Sequence, residues 1–257
     1  MFKSRYSLDF APSGGARHLQ AQSEPEISSL RVDCSLEDFP EVLASKFPSA
    51  ETPVLDSAMG SYNRQAVLLH LQTNVPEKRL QHILRVEEMA IALAQHYHLD
   101  TEKAAQAGLM HDLAKFFPPN RLLEMAQAEG LELDWVFQAN PHLLHADVGA
   151  IVAREQFGIQ DELVLDAIRN HTLGRPEMDP LSCVVYLADS LEPGRGDTTD
   201  LNQLRQVCWD NLHRAVGLTA EYTMRFLFST HHLIHPRALL TRNWAIQVAA
   251  AATAQKS

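Results

Sequence analysis

An all-α, single-domain fold is predicted by three features of this 257-residue chain. From residue 61 onward apolar residues recur at helical spacing, and no segment alternates with the period of two that marks a strand. Helix starts carry Pro, Asp or Thr, and most helix ends meet a glycine suited to a left-handed cap. No internal repeat breaks the succession.

The elements follow in order. Residues 1–58 are rich in Ser, Pro, Glu and Gly and lack sustained periodicity, which predicts an N-terminal extension that is largely disordered. Within it "CSLEDFPEVLASKF" would form one short amphipathic helix through Leu36, Phe39 and Val42, and Met59 is a candidate start of translation. The domain itself is predicted over 59–247, with 248–257 as a frayed tail. "PEKRLQHILRVEEMAIALAQHY" opens on Pro76 and carries Leu80, Ile83, Leu84, Ala90, Ile91 and Ala94 on a helical face. "DTEKAAQAGLMHDLAKFF" takes Asp100 or Thr101 as N-cap and is predicted to stay helical until Pro118-Pro119. "NRLLEMAQAEG", "HADVGAIVAREQFG", "DELVLDAIRNHTLG" and "DPLSCVVYLADSLEPG" follow, and residues 201–247 supply two or three more helices.

Composition narrows the function. A formal net charge of −10 argues against a general nucleic-acid surface, so any anionic substrate needs a local positive centre. Cys34, Cys183 and Cys208 are scattered, with no CxxC pair, which argues against a disulfide framework or thiolate zinc site and fits a reducing cytoplasm. No apolar run is long enough to span a bilayer, and no signal or transit peptide is evident. The 13 histidines are the one compositional oddity.

Several polar residues fall where apolar ones are expected. His82 shares the inward stripe of its helix with Val86 and Met89. His111 and Asp112 lie side by side in the apolar "AGLMHDLAK", on the stripe of Ala104, Ala107 and Gly108. His145 opens a helix, His171 closes one, and Asp189 lies one turn after Val185 in "CVVYLAD". Any one of these is ordinarily a backbone-bonded core residue. Together, two carboxylates and four imidazoles buried without a cation would cost several kcal/mol each. A shared metal removes that cost.

The order His82, His111-Asp112, Asp189 resembles the HD-domain superfamily of metal-dependent phosphohydrolases. "HILRVEEMAIALAQHY", "AGLMHDLAK", "LLHADVGAIVAREQFG", "AIRNHTLGRPEMDPLSCVVYLADSLEPGR" and the late "TRN" are similar to the YqeK-type subgroup, over about residues 61–245. The resemblance implies an HD-domain helical bundle and symmetrical bis(5′-nucleosyl)-tetraphosphatase activity. It further implies six metal ligands, His82, His111, Asp112, His145, His171 and Asp189, around two divalent ions, usually iron, with Asp112 bridging. A one-metal site needs only four of these; His145 and His171 are what a second ion requires. The mixed nitrogen and oxygen donors suit Fe, Mn, Co or Zn better than Mg or Ca.

Phosphoanhydride cleavage needs a nucleophile at neutral pH and positive charge at the phosphoryl oxygens, and two divalent ions supply both. A metal-activated hydroxide is therefore the expected nucleophile, with Asp112 and Lys115 as the catalytic residues. Lys115 lies one turn beyond His111 and faces the same side. Arg195 in "EPGR", Arg85 one turn after His82, and Thr172 beside His171 are the other phosphate candidates. The bland alternatives are a snorkelling Lys115, an Arg195 paired with Glu192, a surface Arg85 and a helix-capping Thr172. "RGD" at 195–197 is read as coincidence, and "HHLIH" at 231–235 as a partly exposed helix end. The expected partner is a dinucleoside polyphosphate substrate, diadenosine tetraphosphate foremost; a homodimer is left open. The rival readings are another HD-type nucleotidase or phosphodiesterase and a catalytically silent nucleotide-binding scaffold.

Overall fold

The structure, a computed structural model, describes residues 62–254. The proposed short helix around Leu36, the candidate start at Met59 and Cys34 lie outside these residues. Among the described residues there are α-helices and short 3₁₀ turns and no strand. The helices are α1 Arg64–Asn74, α2 Glu77–His96, α3 Thr101–Met110, α4 Pro119–Ala128, α5 Trp135–Ala139, α6 His145–Phe157, α7 Glu162–Asn170, α8 Pro180–Leu191, α9 Thr199–Asp210, α10 Leu212–Ser229 and α11 Pro236–Ala254. The last runs beyond residue 247. No helix among the described residues is long and apolar enough to cross a membrane.

Helix starts are set locally. Asp100, Asp134, Asp161 and Asp179 each accept hydrogen bonds from amides in the first turn that follows. Each such cap is worth about 1 kcal/mol. Gly158 ends α6 in the left-handed conformation at φ 68°, as expected of a glycine cap.

The helix expected to run from residue 101 to the two prolines stops early. α3 ends at Met110, and 111–116 continue as tight turns closed by Leu113 N–H to Met110 O, Lys115 N–H to Asp112 O and Phe117 N–H to Ala114 O. His111 folds its Nδ1 back onto the Gly108 carbonyl at 2.8 Å, competing with the helical ladder at that point. The doublet thus sits in a tightened turn rather than mid-helix.

Packing then brings the polar positions together. α2 lies against α3 and α8, α3 and α6 against α7, and α7 against α8, so α8 is in the middle of the bundle. Its residues Leu181 to Ala188 are buried without interruption. Ile83, Leu93, Leu109, Leu165, Ile168 and Leu187 fill the space between these helices with no exposed surface, each contributing about 1.5–3 kcal/mol. Gly108 permits the close approach of α3 to α2: a Cβ there would fall 3.0 Å from the Glu87 Cα.

Candidate metal centre

α2, the turn after α3, the start of α6, the end of α7 and α8 each deliver a ligand-type side chain to one buried volume. His82 Nε2 is 3.1 Å from Asp189 Oδ1. His111 Nε2 is 3.7 Å from Asp189 Oδ1 and 3.4 Å from Asp112 Oδ2. The other Asp112 oxygen, Oδ1, is 3.4 Å from His145 Nε2 and 3.8 Å from His171 Nε2. The last two nitrogens are 3.1 Å apart. Donor atoms of His82, His111 and Asp189, and those of His111, Asp112 and His171, lie within 4.8 Å of one another in each group. The six side chains named from the sequence therefore share one centre, and Asp112 has one oxygen toward each half of it.

The hydrogen bonds at the far side of each ring fix what the near side offers. Nδ1 of His111, His145 and His171 lies 2.8, 2.5 and 2.7 Å from the carbonyls of Gly108, His142 and Ile168, three residues earlier in each case. A carbonyl only accepts, so each Nδ1 carries a proton, and in the neutral form of the ring Nε2 is left with a bare lone pair. His82 does the same with a carboxylate, its Nδ1 donating to Glu192 Oε1 at 3.0 Å. His111 Nε2 is buried and has no hydrogen-bond partner. Two lone pairs facing each other at 3.1 Å, as in His145 and His171, repel unless a cation lies between or beside them. This donor set fits divalent transition ions held by imidazole and carboxylate.

Electrostatics agree with a cation-binding role. Burial opposes the charge on both carboxylates, but His111 and Arg79 hold Asp112 well below the usual range, and Arg195 and His82 do the same for Asp189. Burial keeps His145 and His171 neutral, helped by Lys115 for the first and by His111 for the second. Burial lowers His111 too, yet Asp112 and Asp189 outweigh it and raise that residue.

The three cations and one hydroxyl named from the sequence lie around the centre. Lys115 Nζ and Thr172 Oγ1 are 3.4 and 3.2 Å from His145 Nε2. Arg195 donates to Asp189 Oδ1 at 2.6 Å and to the Asp189 carbonyl at 2.7 Å, so its partner is the ligand-type carboxylate rather than Glu192. Arg85 is drawn away from the middle: its Nε donates to Glu192 Oε2 at 2.5 Å, behind His82.

Two contributors were not singled out from the sequence. Glu192 is buried and accepts from His82, Arg85 and the Gly194 amide, which outweigh its burial and bring its carboxyl down to about 2. Arg79 donates to Asp112 Oδ2 at 3.2 Å. Arg79 lies one turn before His82 on α2, and Glu192 is the C-cap of α8, three residues past Asp189, and that spacing was the available signal. "HHLIH" matches expectation at His231 and His232, exposed just past the end of α10, and differs at its last residue. His235 is buried, its ring tilted against Phe137 with centroids 4.2 Å apart and Nε2 3.1 Å from Asp134 Oδ2.

Comparison with known proteins places this arrangement. The HD domain family model matches residues 79–194, which contain all six side chains. A Bacillus subtilis protein named symmetrical bis(5′-nucleosyl)-tetraphosphatase is 35% identical over 184 residues, covering 72% of this chain and 98% of that one. A Halalkalibacterium halodurans protein of the same name is 37% identical over 70% of this chain and 96% of its own. The crystal structure of a predicted HD superfamily hydrolase involved in NAD metabolism, from Clostridium acetobutylicum, aligns with a TM-score of 0.70 at 37% identity, over 73% of this chain and 99% of that chain. The chain belongs to the HD-domain family, in the group that contains the symmetrical bis(5′-nucleosyl)-tetraphosphatases.

Proposed function

We propose that this chain hydrolyses diadenosine tetraphosphate symmetrically to two molecules of ADP at a dinuclear metal centre. The observation that carries this reading is the addition of His145 and His171 to the four-residue set of His82, His111, Asp112 and Asp189. His82, His111 and Asp189 would hold one ion and His145, His171 and Asp112 the other, with Asp112 bridging. Iron is the proposed metal, and Mn, Co and Zn match the same donors. Divalent ions bound there supply water ionised near neutral pH and positive charge at the phosphoryl oxygens. The names carried by the relatives support the choice of substrate.

The chain's own groups account for substrate handling. Lys115 and Thr172, at the His145 edge, are aligned to donate to a phosphoryl oxygen of the attacked phosphate or of the departing diphosphate. Arg195 keeps Asp189 ionised and oriented with Nη2 and holds the Asp189 carbonyl with Nε, which leaves Nη1 to offer to phosphate. Arg85 acts through Glu192 on His82 rather than on phosphate. These cations concentrate positive charge where a polyphosphate must enter a chain of net charge −10. Free Cys183 and Cys208 are in keeping with a reducing cytoplasm.

Product analysis tests the reading. Incubated with diadenosine tetraphosphate, the metal-loaded protein is expected to yield ADP as sole nucleotide product. AMP with ATP would contradict symmetrical cleavage, and no turnover by metal-loaded protein would favour a silent scaffold. Asp112→Ala is expected to lower kcat at least about 1,000-fold while the chain stays helical, because the variant loses an oxygen from each half at once.

A further inference from the structure

The half of the centre formed by His145 and His171 is held from behind by a helix that contributes no ligand-type residue to it. Thr241, in α11, is completely buried, and its hydroxyl lies 2.9 Å from the Leu173 carbonyl and 2.9 Å from the Arg237 carbonyl. Gly174, the next residue after Leu173, has φ +62°, and a Cβ on it would fall 2.5 Å from Thr241 Cγ2. The turn from His171 to Gly174, which presents His171 and Thr172 to the centre, is therefore pressed against α11 without slack. Arg237, one turn earlier on α11, reaches the other supports. Its guanidinium is 3.4 and 3.5 Å from the two oxygens of buried Asp147 and donates to the Arg169 carbonyl at 3.3 Å. Asp147 stands two residues after His145 in the first turn of α6, and Arg169 two residues before His171.

The opposite half is anchored by different groups. Glu192 holds His82 and Arg85, and Arg205 of α9 donates to the carbonyls of Leu191 and Glu192. α11 supplies none of these bonds. α11 is thus hydrogen-bonded directly to the supports of His145 and His171, whereas it meets the helix of Asp189 only through α10, which packs on α8.

We propose that α11, through Thr241 and Arg237, is the positioning strap for the His145–His171 half of the centre and sets the affinity of the second ion. This rests on the dinuclear reading given above. Ligand geometry must hold within about 0.5 Å to keep affinity, and outer partners of metal ligands typically matter by about 10–100-fold. Because Thr241 acts on the backbone of the ligand's turn, the low end of that range is expected.

Titration of the metal-free full-length chain with Mn²⁺ alone, followed by calorimetry and metal counting, tests the strap. The wild type is expected to bind two ions. Thr241→Val, which keeps the shape and removes the donor, is expected to weaken the second ion about 10-fold, with the first ion and the helical circular dichroism unchanged. Thr241→Ser, which keeps the hydroxyl, should restore the second ion. Thr219→Val removes an equally buried hydroxyl that has no partner and should leave both ions as in the wild type. Should Thr241→Val fail to fold, Arg237→Lys carries the same expectation. Wild-type affinity for both ions in the folded strap variants would overturn the strap and leave the dinuclear reading standing. A single Mn²⁺ bound by the wild type would overturn the dinuclear reading, and the strap with it.

Discussion

A histidine offers a metal one ring nitrogen, and the partner of the other nitrogen decides which one. In this chain three of the four imidazoles donate Nδ1–H to a carbonyl three residues back, and the fourth donates to Glu192. The backbone thus selects the Nε2 lone pair before any ion arrives. Glu192→Ala would leave His82 free to rotate and Arg85 without its partner. The expected result is a metal affinity about 10–100-fold weaker in a protein of unchanged helicity, measured by competition with a chelating dye. Unchanged affinity would mean that packing alone orients His82. The ligand-type residues were legible in the sequence because a charged or imidazole side chain on an apolar stripe contradicts the pattern around it. Glu192 and Arg79 were less legible: on one helix they read as ordinary exposed charges, and only the fold buries Glu192 against His82 and pairs Arg79 with Asp112. Thr241 stood out only as part of the quoted "TRN" and Arg237 not at all, and neither role was legible because their partners lie 68 and 90 residues away.

At the scale of the element, periodicity and caps located the helices well, and the tightened turn at His111 marks where local pattern failed. The run from residue 101 to 117 keeps helical spacing throughout, but the bond from His111 to Gly108 replaces one rung and ends the helix at Met110. Functional geometry overrode propensity there, where consistency between levels is expected to break. Gly108 has a second duty, the close crossing of α2 and α3. Gly108→Ala would set a methyl 3.0 Å from the Glu87 backbone and force the helices apart. A loss of about 1–3 kcal/mol is expected, measured by urea unfolding, with metal content falling in parallel because His82 rides on α2. A variant as stable as the parent would show that the crossing relaxes freely.

Across the whole molecule, five segments far apart in sequence converge on one polar cluster inside an otherwise apolar bundle, and such a cluster is a source of instability unless a cation neutralises it. Ions that bind only the folded state stabilise it by mass action, by about 2.7 kcal/mol at a hundredfold excess over Kd. For a chain of this size that corresponds to roughly 5–10 °C. Chelation should therefore lower Tm by about that much, followed by thermal melting with and without added metal, and an unchanged Tm would mean that the cluster satisfies itself. Burial of the whole bundle around α8 was predictable as an all-α domain. The pairing of helices that brings His145 beside His171 was not, because helix periodicity says which face is inward but not which neighbour it meets. Anomalous diffraction at the absorption edge of the bound metal tests the central claim most directly. The account predicts two peaks about 3.5–4 Å apart, one among His82, His111 and Asp189 and one among Asp112, His145 and His171. One peak, with the His145 and His171 rings turned from it, would contradict it.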